Sequence, residues 1–302
     1  MIDVVVIGGG PAGMSAALVA GRGKKQVILI DEEKPRNAVT HETHAFLTRD
    51  GTKPEVFREK GRRDLLKYPT ISIKNSKVLS IEKKAEDTFE ITTESGDIIN
   101  AKNIVLATGV TETLPNVKGI ENYYGSSIFS CPFCDGWEMK DRPLILIAES
   151  VQALHVLKLL KNWTDDLIVT TNGNKIFDTD QKKMLEINNI RLIEERIIEL
   201  KGIDGELQSI FFESGEKINR SGGFCTTVLD NRLPFIAQLG IKVNEAGFVI
   251  ADVMGHTNIK GIYAAGEITG PSQLIVSASQ GHMAGAGIIA DSCEEAFQSI
   301  QK

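Results

Sequence analysis

Residues 2–13 read Ile2-Asp3-Val4-Val5-Val6-Ile7-Gly8-Gly9-Gly10-Pro11-Ala12-Gly13, and the fold turns on how they are read. The first six are mostly apolar and β-branched, the pattern of a strand buried on both faces of a parallel sheet. Glycines at 8, 10 and 13 follow at once. Met14 to Gly21 then continues in small residues (Ser15, Ala16, Ala17, Ala20) that suit a closely packed helix, and Gln26–Ile30 reads as a second strand ending in Asp31. Strand, GxGxxG turn, helix, strand and acid in that order are what a dinucleotide site requires. Gly8 makes the tight turn, Gly10 admits a pyrophosphate to the backbone, and Gly13 lets helix and sheet approach. The helix N-terminus faces the phosphates, and Asp31 is placed to accept hydrogen bonds from ribose hydroxyls. A doubly wound α/β architecture follows.

At 302 residues the chain has room for about two domains. Its 42% apolar and 25% charged residues are ordinary for a globular protein, and the net charge of −6 argues against nucleic acid or an acidic membrane surface as partner. No apolar run reaches the length of a membrane span, and the opening residues lack the basic region of a signal peptide. The expected location is the cytoplasm, where free thiols persist.

Mid-chain stands Cys131-Pro132-Phe133-Cys134, followed by Asp135-Gly136-Trp137-Glu138. Two thiols separated by two residues close into a small ring that works as a redox switch. The attacking sulfur must be a thiolate and the departing one needs a proton, for which Asp135 is the adjacent candidate. A zinc site would need two further ligands, usually a second close pair. The other two cysteines, Cys225 and Cys293, are solitary and read as buried hydrophobes, so no metal is expected.

Three further segments complete the pattern. Residues 104–109 form an apolar strand ending in Ala107-Thr108-Gly109, and residues 261–267 repeat it as Gly-Ile-Tyr-Ala-Ala-Gly-Glu. Pro271-Ser272-Gln273 opens a long small-residue helix through Ala278, Gly281, Ala284 and Gly287. Together with the glycine-rich start and the CPFCDG element, these resemble the low-molecular-weight thioredoxin reductase family over nearly the whole chain. The resemblance implies two Rossmann-like domains: an FAD-binding domain from residues 1–114 and 231–302, and an inserted CxxC domain, 115–230, built like an NADPH domain. It implies that Gly8, Gly10, Pro11, Ala12 and Gly13 hold the FAD pyrophosphate and Asp31 the adenosine ribose. Arg36 and Asn37 lie near the cofactor in relatives, and Thr108, Gly109 and Gly266 fall at the cofactor-side strand ends. Glu267 stands where the family has an aspartate bonded to the ribityl chain; one methylene longer, it must be re-aimed. Gln273 and its helix would bring a positive dipole end to the flavin. In the loop Thr43–Gly51, His44 is a candidate proton acceptor. A homodimer is also implied.

The 115–230 segment departs from the family in two places. Its strand Pro143–Ile147 should run into a second glycine-rich turn, but the residues there are Ala148-Glu149-Ser150-Val151-Gln152-Ala153. Side chains at 148 and 150 obstruct close backbone approach, and Glu149 sets a carboxylate against any pyrophosphate. The next strand, 167–171, ends in Thr-Thr-Asn-Gly-Asn and brings no arginine cluster for a 2′-phosphate. Helices are expected over 151–162 and 180–188.

The expectation is therefore an FAD-dependent thiol–disulfide oxidoreductase that uses Cys131 and Cys134, and not NADPH, to oxidise dithiols with O2. Cys131 would meet the substrate and Cys134 would communicate with the flavin. Two alternatives remain open: a thioredoxin-disulfide reductase fed by ferredoxin or, less favoured, by NADPH, and a non-turnover redox sensor. The partner is a thioredoxin-like protein or a small dithiol or disulfide.

Overall fold

The computed structural model describes residues 1–84, 87–231 and 233–299. The chain forms two compact units: Met1–Ala38, Pro54–Thr111 and Asp230–Lys302 make the first, Val39–Lys53 and Glu112–Leu229 the second.

The first unit opens with β1 (Ile2–Ile7), α1 (Pro11–Arg22) and β2 (Val27–Asp31). It continues through α2 (Pro54–Leu65), β3 (Ile71–Asn75), β4 (Val78–Lys83), β5 (Phe89–Thr93) and β6 (Ile98–Leu106). The chain crosses at β7 (Thr111–Thr113) into the second unit. There follow β8 (Ile128–Phe129), α3 (Pro132–Asp135), β9 (Leu144–Ile147), α4 (Ala153–Leu160), β10 (Leu167–Thr170), α5 (Thr179–Ile187) and β11 (Arg191–Ile193). An antiparallel trio, β12 (Ile197–Ile203), β13 (Glu206–Phe212) and β14 (Lys217–Asn219), precedes β15 (Gly222–Cys225) and β16 (Val228–Asp230). The first unit resumes with α6 (Pro234–Gln238), β17 (Ile262–Ala264) and α7 (Leu274–Ser299).

In the first unit β3, β2, β1, β6 and β17 lie side by side and parallel. The opening half of β6 also pairs antiparallel with β5, and β5 with β4. Val4, Val5 and Val6 are fully buried because helices cover one face of this sheet and α6 with its neighbours the other. Strand order reverses at β1, which has β2 on one side and β6 on the other, so a crevice opens at its C-terminal end. Gly8–Gly13 lies at that point.

The small residues of α1 set how closely α7 can cross it. A Cβ at Gly281 would collide with the Ala12 carbonyl oxygen, and one at Gly285 would come within 2.8 Å of the Ala16 carbonyl oxygen. Larger side chains there would force the two axes apart.

The second unit repeats the scheme with a smaller parallel sheet in the order β11, β10, β9, β15, β8. Leu144–Ile147 are all fully buried, as a central parallel strand requires. Helix α5 starts cleanly because Asp178 accepts from the Gln181 N–H while the Gln181 side chain accepts from the Asp178 N–H, a capping box.

The mixed α/β fold with two Rossmann-like sheets agrees with the sequence reading. Some element limits move. The strand expected to reach residue 109 ends at Leu106, and the one expected to reach 267 ends at Ala264. Gly109 (φ 65°) and Gly266 (φ 82°) turn the chain out of the sheet soon after. Helix α4 is shorter than 151–162, its flanks being turns. Cys293, expected to be buried, is exposed, since the last turns of α7 run beyond the core; Cys225 is buried. The loop 39–53, read as part of the first domain, clusters with the second unit. Among the described residues no helix is long and apolar enough to cross a membrane.

Candidate nucleotide cradle and redox site

In the first unit, the turn after β1 is built around glycine. Gly8 has φ 106°, and a Cβ there would collide with the Ala107 carbonyl. A Cβ at Gly13 would collide with the Gly8 carbonyl, which fixes the approach of α1 to the sheet. Gly10 has nothing within 4 Å of its Cβ position, so its outer side is open. Pro11 opens α1 at a position whose missing N–H costs no helix bond, and no side chain caps this end. Its unpaired N–H groups therefore face the crevice. Across from it, after β6, the Thr108 hydroxyl is buried with no partner among the described residues.

Asp31 ends β2 and is 8% exposed. Its carboxylate lies against Gly9, where a Cβ would collide with Oδ2. Arg58 (3.0 Å) and Arg62 (3.3 Å), both on α2, donate to that same oxygen. Arg36 and Glu267 are partners of each other: Nη2 donates to Oε1 at 2.7 Å and Nε to Oε2 at 3.3 Å. Asn37 lies in the same 3-10 turn as Arg36, Gly266 holds its N–H on Gln280 (2.9 Å), and Gln273 immediately precedes α7.

In the second unit, Cys131 and Cys134 form a disulfide, with Cα atoms 5.3 Å apart. Cys131 is the extended N-cap of α3, and its carbonyl accepts from the N–H of Cys134 (3.1 Å) and Asp135 (3.2 Å). Pro132 fixes φ at the first helical position. Phe133 sets its ring edge against Trp163 at 6.3 Å, and Gly136 leaves no room for a Cβ between Pro132 and Trp163. Ser130, just before the pair, shares its hydroxyl with Tyr124 (2.9 Å), whose phenol donates to Glu112 (2.6 Å).

Asp135 turns inward and is 8% exposed, and among the described residues nothing donates a hydrogen bond to its carboxyl group. Burial, helped by the negative charge of Glu138 and opposed by His44, pushes its pKa up to about 7. His44 is 19% exposed at its side chain. It faces Glu138 (3.6 Å), Asp50 (3.7 Å) and Glu42 (3.9 Å). Its loop closes on itself through Thr43, whose N–H and hydroxyl both donate to the Thr52 carbonyl (2.9 and 2.6 Å).

The second sheet also reverses order, at β9. Ala148 there is fully buried, and the Glu149 carboxylate accepts from Asn172 Nδ2 at 2.9 Å. Asn172 follows β10, donates to the Asn116 carbonyl (3.3 Å) and accepts from the Ile197 N–H (3.0 Å). These bonds bridge the ends of β9 and β10, where such a sheet otherwise leaves room for a ligand.

A family profile described as pyridine nucleotide-disulphide oxidoreductase matches residues 2–281. The chain belongs to that family. The solved structure of a protein assigned as thioredoxin reductase TrxB from Bacillus anthracis is 44% identical, covering 97% of this chain and 99% of that one, with a TM-score of 0.94. "Thioredoxin reductase sirT" of Leptosphaeria maculans is 30% identical over 95% of this chain and 93% of its own length. A "Probable thioredoxin reductase" of Arthroderma benhamiae is 38% identical, over 57% of this chain and 44% of that relative. The pyridine nucleotide-disulphide oxidoreductases of this thioredoxin reductase-like type are FAD-binding flavoproteins. The first unit fits that group: open Gly10, a bare helix N-terminus and an orphaned Thr108 hydroxyl are what a pyrophosphate and its ribityl chain need.

Sequence reasoning missed Arg58 and Arg62 at Asp31, the Arg36–Glu267 pair, Asn172 at Glu149, and Glu138 beside His44. For Arg58 and Arg62 a signal existed, since an i, i+4 arginine pair lies on one helix face. The others join residues far apart in sequence and carry no periodic mark.

Proposed function

We propose that the chain is an FAD-dependent thiol–disulfide oxidoreductase that works without NADPH and oxidises dithiols, with O2 as final acceptor. The observation that carries this reading is the end of β9. Glycine is missing from 148–153, Ala148 is packed at 0% exposure, and Glu149 is tied to Asn172 across the crevice. A pyrophosphate would have to break that bond and lie beside a carboxylate, a repulsion of about 1 kcal/mol or more.

The residues have distinct roles. A substrate thiolate attacks Sγ of Cys131, breaking the Cys131–Cys134 bond and forming a mixed disulfide. The departing Cys134 sulfur takes the proton of Asp135, whose raised pKa keeps a proton available near neutrality. The second substrate thiol gives its proton to the Asp135 carboxylate and attacks the mixed disulfide. Oxidised substrate leaves, and the Cys131 sulfur takes up the proton that the first thiol released to solvent. One S–S bond has broken, one has formed, and two electrons and two protons rest on the cysteine pair. FAD, when bound, supplies the two-electron acceptor that returns the pair to the disulfide. Gly8, Gly10, Pro11, Ala12, Gly13, Thr108, Gly109 and Gly266 would hold it through backbone and hydroxyl. Asp31, Arg36, Asn37, Glu267 and Gln273 would flank it.

The relatives named thioredoxin reductase favour a second reading, in which a thioredoxin-like disulfide is reduced; on that reading the electrons come from ferredoxin or, less favoured, from NADPH. Stopped-flow absorbance at the flavin band, with NADPH, dithiothreitol or reduced ferredoxin, separates the cases. Bleaching by dithiothreitol with peroxide release in air is the expected result. Fast bleaching by NADPH overturns it, and bleaching by ferredoxin alone moves the assignment to the reductase.

A further inference from the structure

In the first unit, one cluster of side chains serves neither the nucleotide cradle nor the redox pair. The segment 252–256 folds on itself through the Met254 and His256 N–H groups, which both donate to Asp252 Oδ1 at 2.9 Å. It packs against α7 with little clearance. A Cβ at Gly255 would come within 2.8 Å of Ala284 Cβ, and one at Gly287 within 2.8 Å of the Met254 carbonyl oxygen. Ala284, Gly287 and Asp291 recur at three- and four-residue spacing, so they share one face of the helix. At the end of that face His256 Nε2 lies 3.0 Å from Asp291 Oδ2, an oxygen that also accepts from the Tyr263 hydroxyl on β17. His256 Nδ1 lies 2.9 Å from Asp252 Oδ2. The two carboxylates thus sit on opposite nitrogens and do not converge with the ring on one point, as metal ligands would.

A neutral imidazole carries one N–H and can donate to only one of these carboxylates; the imidazolium donates to both. We propose that the Asp252–His256–Asp291 bridge is a pH-sensitive latch on the C-terminal half of α7, closed while the imidazole is protonated and released when it is not. On deprotonation a ring lone pair faces a carboxylate oxygen at 2.9 or 3.0 Å, and an attraction becomes a repulsion. Burial lowers the proton affinity of His256, but its bonds to Asp252 and Asp291 outweigh that and raise its pKa above the ordinary 6.5. The stability linked to this proton is therefore full below pH ~6.5 and lost as pH rises through the folded-state value. On the acid side, burial raises Asp252, but the bonds from His256 and Met254 outweigh it and leave its pKa below 3.8. Its share of the latch is present above that pH and lost as pH falls through the lowered value. Burial pushes the Tyr263 phenol up, so it stays a donor to Asp291 throughout. The other charges lining the same cleft are held mostly by partners of their own. Lys260 pairs with Glu295 of α7 at 2.9 Å, Lys102 of β6 with Asp3 of β1 at 3.5 Å, and Asp87 with Lys83 at 2.9 Å. Lys25, after α1, also lines it.

The latch can be read in the FAD-loaded protein without any turnover. Histidine labelled with carbon-13 at Cε1 is titrated by NMR across pH 5–10, and the His256 resonance is identified by its loss in H256Q. Its midpoint should lie above 6.5 and should fall by about half a unit or more in D291N, which removes one of the two charges. Hydrogen exchange of the α7 peptides around Asp291, corrected for the intrinsic pH dependence, should be about threefold or more slower at pH 6 than at pH 9 in the parent. H256Q should show the faster rate at both. If H256Q folds poorly, the parent and D291N suffice, since the resonance that D291N moves is then the one belonging to His256. A midpoint at or below 6.5, a resonance that D291N leaves in place, or α7 protection equal at pH 6 and 9 overturns the inference. None of these measurements involves the cysteine pair, so the proposed function stands or falls separately.

Discussion

On the proposed mechanism, Asp135 joins activity and stability in one residue. Its folded-state pKa, about 7, lies above the ordinary 3.8, first because of burial and then because of Glu138. The folded chain therefore binds that proton more tightly than the unfolded chain. The stability linked to it is fully present below pH ~4 and is lost as pH rises through about 7. At 1.36 kcal/mol per unit the loss is of order 4 kcal/mol at most. Asp135→Asn removes it, since the amide does not ionise. The variant should match the parent in denaturant unfolding at pH 4 and exceed it by up to a few kcal/mol at pH 8. Its dithiol oxidation should fall by roughly 100-fold or more, the usual scale for loss of a general acid. A variant equally unstable at pH 8, or fully active at pH 7, contradicts the assignment. The other buried thiol, Cys225, plays no such part: burial pushes it further from the thiolate.

Elements show where the sequence speaks and where it does not. The run from β1 to β2 was legible because a parallel strand, a glycine turn and a small-residue helix each leave a local pattern. The CxxC was legible because its chemistry is contained in four residues. The company of the loop 39–53 was not legible, since neither of its bounds carries a composition shift. Nor was Glu149–Asn172, because two polar residues 23 apart declare a partnership only once β9 and β10 are side by side. The long helix α7 is a middle case. Its glycines read as close packing, but their partner, α1, appears only in the fold. Gly281→Ala should push α1 away through the Ala12 carbonyl, costing about 1–3 kcal/mol. Because Ala12 lies in the first turn of α1, FAD retention after gel filtration should drop with it. Unchanged FAD content would mean that the helix end tolerates the shift. The β9 turn makes the opposite kind of prediction. If its side chains and charge exclude the nucleotide, the triple variant Ala148→Gly, Glu149→Gln, Ser150→Gly should bleach with NADPH at least about tenfold faster than the parent. No gain would place the exclusion elsewhere.

At the scale of the molecule, the two units share one architecture, and ligand linkage tests their two crevices separately without any turnover. Each has a parallel sheet whose order reverses, at β1 in the first and at β9 in the second. At β1 the crevice is lined by glycine and a bare helix end; at β9 it is bridged by Glu149 and Asn172. A ligand that binds only the folded state stabilises it by RT ln(1 + [L]/Kd), about 2.7 kcal/mol at a hundredfold excess over Kd. FAD added to flavin-depleted protein should therefore raise the unfolding midpoint in a concentration-dependent way. NADPH at millimolar concentration should leave the midpoint of the FAD-loaded protein where it was. For a chain of this size 1 kcal/mol corresponds to roughly 2 °C, so even a Kd near 0.5 mM would be visible as a shift of about 1 °C. A clear rise with NADPH would mean that the Glu149–Asn172 bridge opens to admit it, and the chain would then have to be read as a reductase with a disguised nucleotide seat. A flat response, beside a strong one to FAD, leaves the dithiol as the route by which electrons enter.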